Sequence, residues 1–267
     1  MSTLPVSHIT SFGKMYAPAE AMPLIAPAVQ ETARAYVSNP VTTERSEAPN
    51  SNIPYSVQQS ILPIPYIEKY VNPQVVENAL KTNPRLSHVL KDNGITPKVS
   101  SLNIGAHTKR HLFTTYMYAM EIARNVHLDA NSTKLLAQAS LLHDIGKALI
   151  PEGIIQKPGK LTAEEREIVN LHSELSAEIL KTTDVPREVI EAVDSHHTPA
   201  ENKEDDLISK ILSVADVYSA LKEERPYKKA MPDDKAFSIM ESMKQLSQPL
   251  VKSLKVSRCN SGAYKYA

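Results

Sequence analysis

Residues 143–147 read His-Asp-Ile-Gly-Lys, and an adjacent imidazole and carboxylate restrict what can be built around them. Neighbouring helix positions diverge by roughly 100°, so the two side chains reach one point only where a helix ends. Gly146 is read as supplying that end, as a glycine that stops the helix. Residues of matching chemistry lie on both sides: His107 before the run, and His172, the pair His196-His197 and Asp216 after it. Imidazole and carboxylate together suit iron, manganese, zinc or nickel. The chain reads as a metallohydrolase whose fold must bring several helix ends to one place.

The pattern from about residue 100 onward meets that demand. Leu112, Tyr116, Ala119, Met120 and Ala123 predict a helix over roughly 105–126. Leu135, Leu136, Ala139 and Leu142 predict another over 131–143. Thr162-Ala-Glu-Glu165 has the form of a capping box and opens a helix reaching about residue 181. Pro186 fits the first turn of a helix that ends near His197, where Thr198-Pro199 stops it. Helices over 207–222 and 234–246 complete the set. Nothing alternates as a strand does, so the expected fold is all-α, a helical bundle with the site in its core. Asp216 lies inside the apolar run Ile211-Leu-Ser-Val-Ala-Asp-Val, where a carboxylate is costly to bury without a cation.

Flanking composition sets the boundaries. Nine prolines fall in the first 65 residues, and because proline lacks an amide donor and fixes φ, residues 1–55 are read as a disordered leader. Residues 56–102 are read as a short helical adaptor, with helices near 73–80 and 86–92 stopped at Asn93-Gly94. Residues 103–247 form the main domain, and 248–267, basic and free of acids, a frayed tail. Lys+Arg and Asp+Glu are 30 each, so no net field recruits nucleic acid or a membrane. The one cysteine, Cys259, has no partner for an internal disulfide. With no apolar run of spanning length, a cytoplasmic location is expected.

These motifs carry a family resemblance. His107-Thr-Lys-Arg110, His143-Asp-Ile-Gly-Lys147 and Ile150-Pro-Glu-Gly-Ile-Ile-Gln-Lys-Pro-Gly-Lys-Leu161 resemble the HD superfamily, and within it the HD-GYP branch. Glu165, His172, His196-His197, Ala215-Asp-Val-Tyr-Ser-Ala-Leu and Arg225-Pro-Tyr-Lys-Lys-Ala230 fit the same pattern in the same order. The resemblance implies a di-metal centre of His107, His143, Asp144, His172, His196, His197 and Asp216, with Asp144 as the bridge. It implies Lys147 as a catalytic cation and Lys147, Arg225 and Lys228 as phosphate or base contacts. His111, four residues after His107, is read as an outer or packing residue.

Two departures refine this. Trinuclear members carry glutamate four residues before the first histidine; this chain has Asn103 instead, so two divalent ions are expected. The segment 198–206 is short, lacks a Gly-Tyr-Pro element and holds four acids against one lysine. The expected activity is metal-dependent phosphodiester hydrolysis of a cyclic dinucleotide or related signalling nucleotide. The alternatives are a mononucleotide or alarmone phosphohydrolase, and a non-catalytic nucleotide-binding module with a signalling protein as partner.

Overall fold

A computed structural model describes residues 64–203, 206–224 and 229–263. The leader 1–55 and the expected phosphate contacts Arg225 and Lys228 lie outside the described residues. Among the described residues every regular element is helical. Helix α1 spans Ile64–Tyr70, α2 Pro73–Thr82 and α3 Pro84–Asp92. Asn72 and Asn83 cap α2 and α3 by accepting amide hydrogens through their side chains, each followed by proline in the first turn. Gly94, at φ 62°, turns the chain out of α3, a left-handed conformation that glycine adopts without strain.

The main bundle follows. Helix α4 covers Ala106–Asn125, α5 Ala130–Leu142, α6 Glu152–Ile155 and α7 Ala163–Asn170. Helix α8 covers His172–Leu180, α9 Arg187–Ser195, α10 Leu207–Lys222, α11 Asp233–Ser242 and α12 Gln248–Ala263. The capping box at Thr162 forms, with Thr162 and Glu165 each accepting the other's backbone amide. The helix it opens is broken at Leu171, however, rather than running through to 181. The break makes His172 the first residue of a new helix. Helix α11 likewise stops at Ser242, short of the expected 246.

One apolar core runs from Ile67 in α1 to Leu254 in α12. Val76, Ala79, Leu86, Val89 and Leu90 contribute from the amino-terminal helices. Polar ties reinforce them: Asn83 Nδ2 donates to Glu178 Oε2 at 2.7 Å and to the Glu178 carbonyl at 3.0 Å, and Arg85 pairs with Glu174 at 2.5 Å. The frayed tail is corrected: 248–263 is a helix that buries Leu250, Val251 and Leu254. The excess of basic residues hid this, because the apolar ones fall at three- and four-residue spacing between the lysines. Arg258 of that helix also lies over the Tyr118 ring, 5.7 Å from its centroid. No described helix is long and apolar enough to cross a membrane.

Burial of a leucine, isoleucine or valine contributes roughly 1.5–3 kcal/mol, against a whole-domain stability of about 5–15 kcal/mol. Deleting residues 1–102 removes Ile67, Val76, Leu86, Val89 and Leu90 from the core. Such a truncation is expected to leave the remainder unstable or insoluble, as read by thermal melting and soluble yield, whereas deleting 1–55 spares it. A protein beginning at residue 103 that melts like the full chain would show that α1–α3 are dispensable.

Candidate metal centre

The site forms where α5, α8 and α9 end or begin and where α4 and α10 cross. His143 caps the end of α5 in helical conformation (φ −59°, ψ −31°). Asp144 leaves it at φ −107°, ψ 9°, and a short 3-10 turn, Ile145–Leu149, follows. The pair thus diverges at a helix end, but Gly146 does not act as a left-handed stop: only Gly94 and Gly159 have positive φ among the described glycines. Its role is close approach. A Cβ at Gly146 would lie 2.4 Å from the His172 carbonyl oxygen and 2.6 Å from the Ser176 amide nitrogen. The Gly146 amide donates to Ser176 Oγ at 2.8 Å, and that hydroxyl contacts the carbonyls of His143 and His172 at 2.8 and 2.7 Å.

Backbone carbonyls fix the rings. His143 Nδ1 donates to the Ser140 carbonyl at 3.0 Å, His172 Nδ1 to Val169 at 2.6 Å and His196 Nδ1 to Val193 at 2.6 Å. A carbonyl only accepts, so each Nδ1 carries a proton, and in its neutral form each ring turns an Nε2 lone pair into the site. His172 Nε2 then stands 3.4 Å from His196 Nε2 and 3.0 Å from His197 Nε2. Lone pairs held this close repel unless a cation or proton lies among them. His143 Nε2 and Asp144 Oδ1 are buried without a hydrogen-bond partner, and such orphans are rare in a finished core.

The carboxylates complete the donor set. Asp144 Oδ2 lies 3.5 Å from His111 Nε2 and 3.6 Å from His143 Nε2, while its Oδ1 lies 3.2 Å from His172 Nε2. Asp216 Oδ1 accepts from His111 Nε2 at 2.8 Å and stands 3.6 Å from His143 Nε2. Among the described residues, three groups have ligand atoms within 4.8 Å of one another: His172-His196-His197, His111-His143-Asp216 and His143-Asp144-His196. The donors fit divalent cations of the iron, manganese, nickel and zinc kind.

Charge balance tells the same story. Burial opposes ionisation of Asp144, yet Lys147, with Nζ 2.5 Å from Oδ2, and the surrounding imidazoles hold it well below the ordinary carboxylate range. Asp216 is held low against burial by His111 and His143. Burial drives His172 down to about 4 and His196 well below its usual value. For His143 burial pulls downward, but Asp144 and Asp216 outweigh it and raise the ring.

The structure brings together every expected ligand except His107. That residue is 45% exposed at its side chain and pairs with Glu223 at 3.0 Å. His111 takes the inner position. His107, one turn before His111 and about 5.4 Å away along the axis of α4, meets Glu223 just past the end of α10, whereas His111 meets Asp216 within it. The signal was present: His111 falls in phase with the buried residues Leu112, Thr115, Tyr116 and Ala119. The correction also moves the four-residue offset from Asn103 to His107, so Asn103 no longer bears on the number of ions. Glu165 caps α7 and pairs with Lys157 at 2.6 Å. Sequence reasoning also missed Lys203, counted as part of a solvated acidic loop but only 6% exposed; burial pushes its ammonium down to about 8.

Residues 103–248 match the HD domain family. The chain is similar to a 3'3'-cGAMP-specific phosphodiesterase of Vibrio cholerae, 33% identical over 144 residues, covering 51% of this chain and 31% of that protein. It is similar to a cyclic di-GMP phosphodiesterase of Pseudomonas aeruginosa, 32% identical over 132 residues, with 43% and 32% covered. A cyclic di-GMP phosphodiesterase response regulator of Xanthomonas campestris is 30% identical over 130 residues, with 45% and 34% covered. The chain spans about a third of the length of these relatives.

Two outcomes follow from the geometry. His111→Ala is expected to cost more than about tenfold in Mn²⁺ affinity, whereas His107→Ala stays within about threefold of wild type by calorimetric titration. The reverse order would restore His107 to the inner position. The second concerns acidity. His172 and His196 have folded pKa values below the ordinary 6.5, so the unfolded chain takes up their protons first as pH falls. Stability is therefore present above pH 6.5 and lost toward pH 4, with the raised His143 and Asp194 acting in the opposite sense. Chelator-treated protein should show a melting temperature that drops by several degrees across that window; a flat profile would contradict the neutral, inward-facing rings.

Proposed function

The chain belongs to the HD domain family, and we propose that it is a metal-dependent phosphohydrolase cleaving a cyclic dinucleotide. The observation that carries this reading is the set of histidine Nε2 lone pairs facing two buried carboxylates. Similarity to phosphodiesterases named for cyclic GMP–AMP and cyclic di-GMP supports the substrate class. A cytoplasmic setting, where such nucleotides act as signals, goes with the proposal.

His111, His143 and Asp216 would hold one divalent ion and His172, His196 and His197 a second, with Asp144 presenting one oxygen toward each set. When bound, such ions supply a Lewis acid for the phosphoryl oxygens and a water of lowered pKa. Lys147 fixes Asp144 through its ion pair and, with its side chain 25% exposed, offers a positive charge toward the phosphate. Arg225 and Lys228 are proposed as further phosphate or base contacts, by the match of their motif. The 198–206 segment, with no Gly-Tyr-Pro element and four acids, favours a second reading in which a mononucleotide or alarmone is the substrate.

Full-length protein loaded anaerobically with Mn²⁺ and offered 3'3'-cGAMP, cyclic di-GMP, a nucleoside monophosphate and an alarmone separates these readings. Cleavage of a cyclic dinucleotide to a linear product is expected. Turnover confined to the monophosphate or alarmone would move the protein to the second reading, and nucleotide binding without turnover to a signalling module. Asp144→Ala is expected to remove bound metal and lower turnover more than about a hundredfold, beyond the 10–100-fold typical of outer residues, with helical content unchanged. Retention of two ions per chain would remove Asp144 from the bridging position.

A further inference from the structure

Lys203 is the one lysine of the 198–206 segment, yet it points into the protein. Its Nζ donates to the carbonyl oxygens of His196 and Ser209, both at 3.3 Å, and to Ser213 Oγ. Ser213 Oγ also contacts the His196 carbonyl and lies 2.9 Å from that of Ser209. Ser195 Oγ meets Ser209 Oγ at 2.8 Å beside them. Taking an ammonium out of water costs several kcal/mol, so it persists only where acceptors replace the lost hydration.

The origin of those acceptors matters. The His196 carbonyl is one of the last of α9, left without an intrahelical partner as carbonyls at that end are. Ser209 and Ser213 belong to α10, and Asp216 lies three residues beyond Ser213 on the same helix. One buried cation thus draws together the helix end that presents His196-His197 and the helix that presents Asp216. Without it, two carbonyl oxygens that converge on one charge would face each other and repel, and the end of α9 would move away from α10.

We propose that Lys203 is a positioning residue that sets the separation between the two halves of the metal centre, His172-His196-His197 on one side and His111-His143-Asp216 on the other. This rests on the metal-centre reading and goes beyond it. Lys203 touches no reacting atom; it acts through the peptide of His196.

The test uses the full-length chain and Mn²⁺. Lys203→Met keeps side-chain length and removes every donor; Ser213→Ala is a gentler change that leaves the ammonium with two carbonyls. Ion number and affinity are read by equilibrium dialysis, and magnetic coupling between ions by electron paramagnetic resonance, with circular dichroism as the check on folding. Wild type is expected to bind two coupled ions. In Lys203→Met the first ion should bind as in wild type, while the second weakens at least about tenfold, the lower end for outer partners of metal ligands. The coupled signal should give way to that of an isolated ion, and Ser213→Ala should move the same way by a smaller factor. Should Lys203→Met not fold, Lys203→Gln, which removes the charge while keeping one donor, decides in its place. Wild-type affinity and coupling in the folded variants, or equal weakening of both ions, would overturn the proposal. Failure of wild type to bind Mn²⁺ would instead sink the metal reading beneath it.

Discussion

Asp144 and Asp216 are charged groups in a place where charge is expensive, and the surrounding bundle is arranged to accommodate them. A carboxylate buried among apolar side chains would ordinarily protonate. Here Lys147, His111 and His143 keep both ionised. No single helix can present that many polar groups inward while keeping an apolar stripe. The donors are therefore spread over five elements, at helix ends and at one crossing. The amino-terminal helices and α12 continue the same apolar core outward from this polar centre.

A second consequence concerns the histidine tautomers. Three rings spend their Nδ1 protons on carbonyls three residues earlier in their own chain segments. That local pattern depends only on backbone conformation at a helix end, so each ring is oriented before any ligand arrives. Preorganisation of this kind leaves less ordering to be done when a cation binds.

Much of this was legible in the sequence because the apolar periodicity is strong. The expected 207–222 helix coincides with α10, and the capping box at Thr162 formed as read. His143, Asp144, His172, His196, His197 and Asp216 converge because each sits at a helix end or within an apolar run. The choice between His107 and His111 is one that periodicity informs, since His111 is in phase with the buried residues, but does not decide. His107 and His111 share a helix face, and only the packing of α4 on α10 shows which meets Asp216 and which meets Glu223. The break at Leu171 escaped because a helix-compatible backbone continues through it, at φ −68°, ψ −12°. Lys203 escaped because composition counts charge but not direction.

Gly146 leads to a different kind of constraint. Its missing side chain lets the turn after Asp144 lie against the backbone at the start of α8, and the Ser176 hydroxyl joins the two. Two segments far apart in sequence are in backbone contact there, with no flexible side chain between them to absorb a change. The floor of the centre therefore behaves as one rigid tile, and any substitution that enlarges residue 146 must separate its two halves.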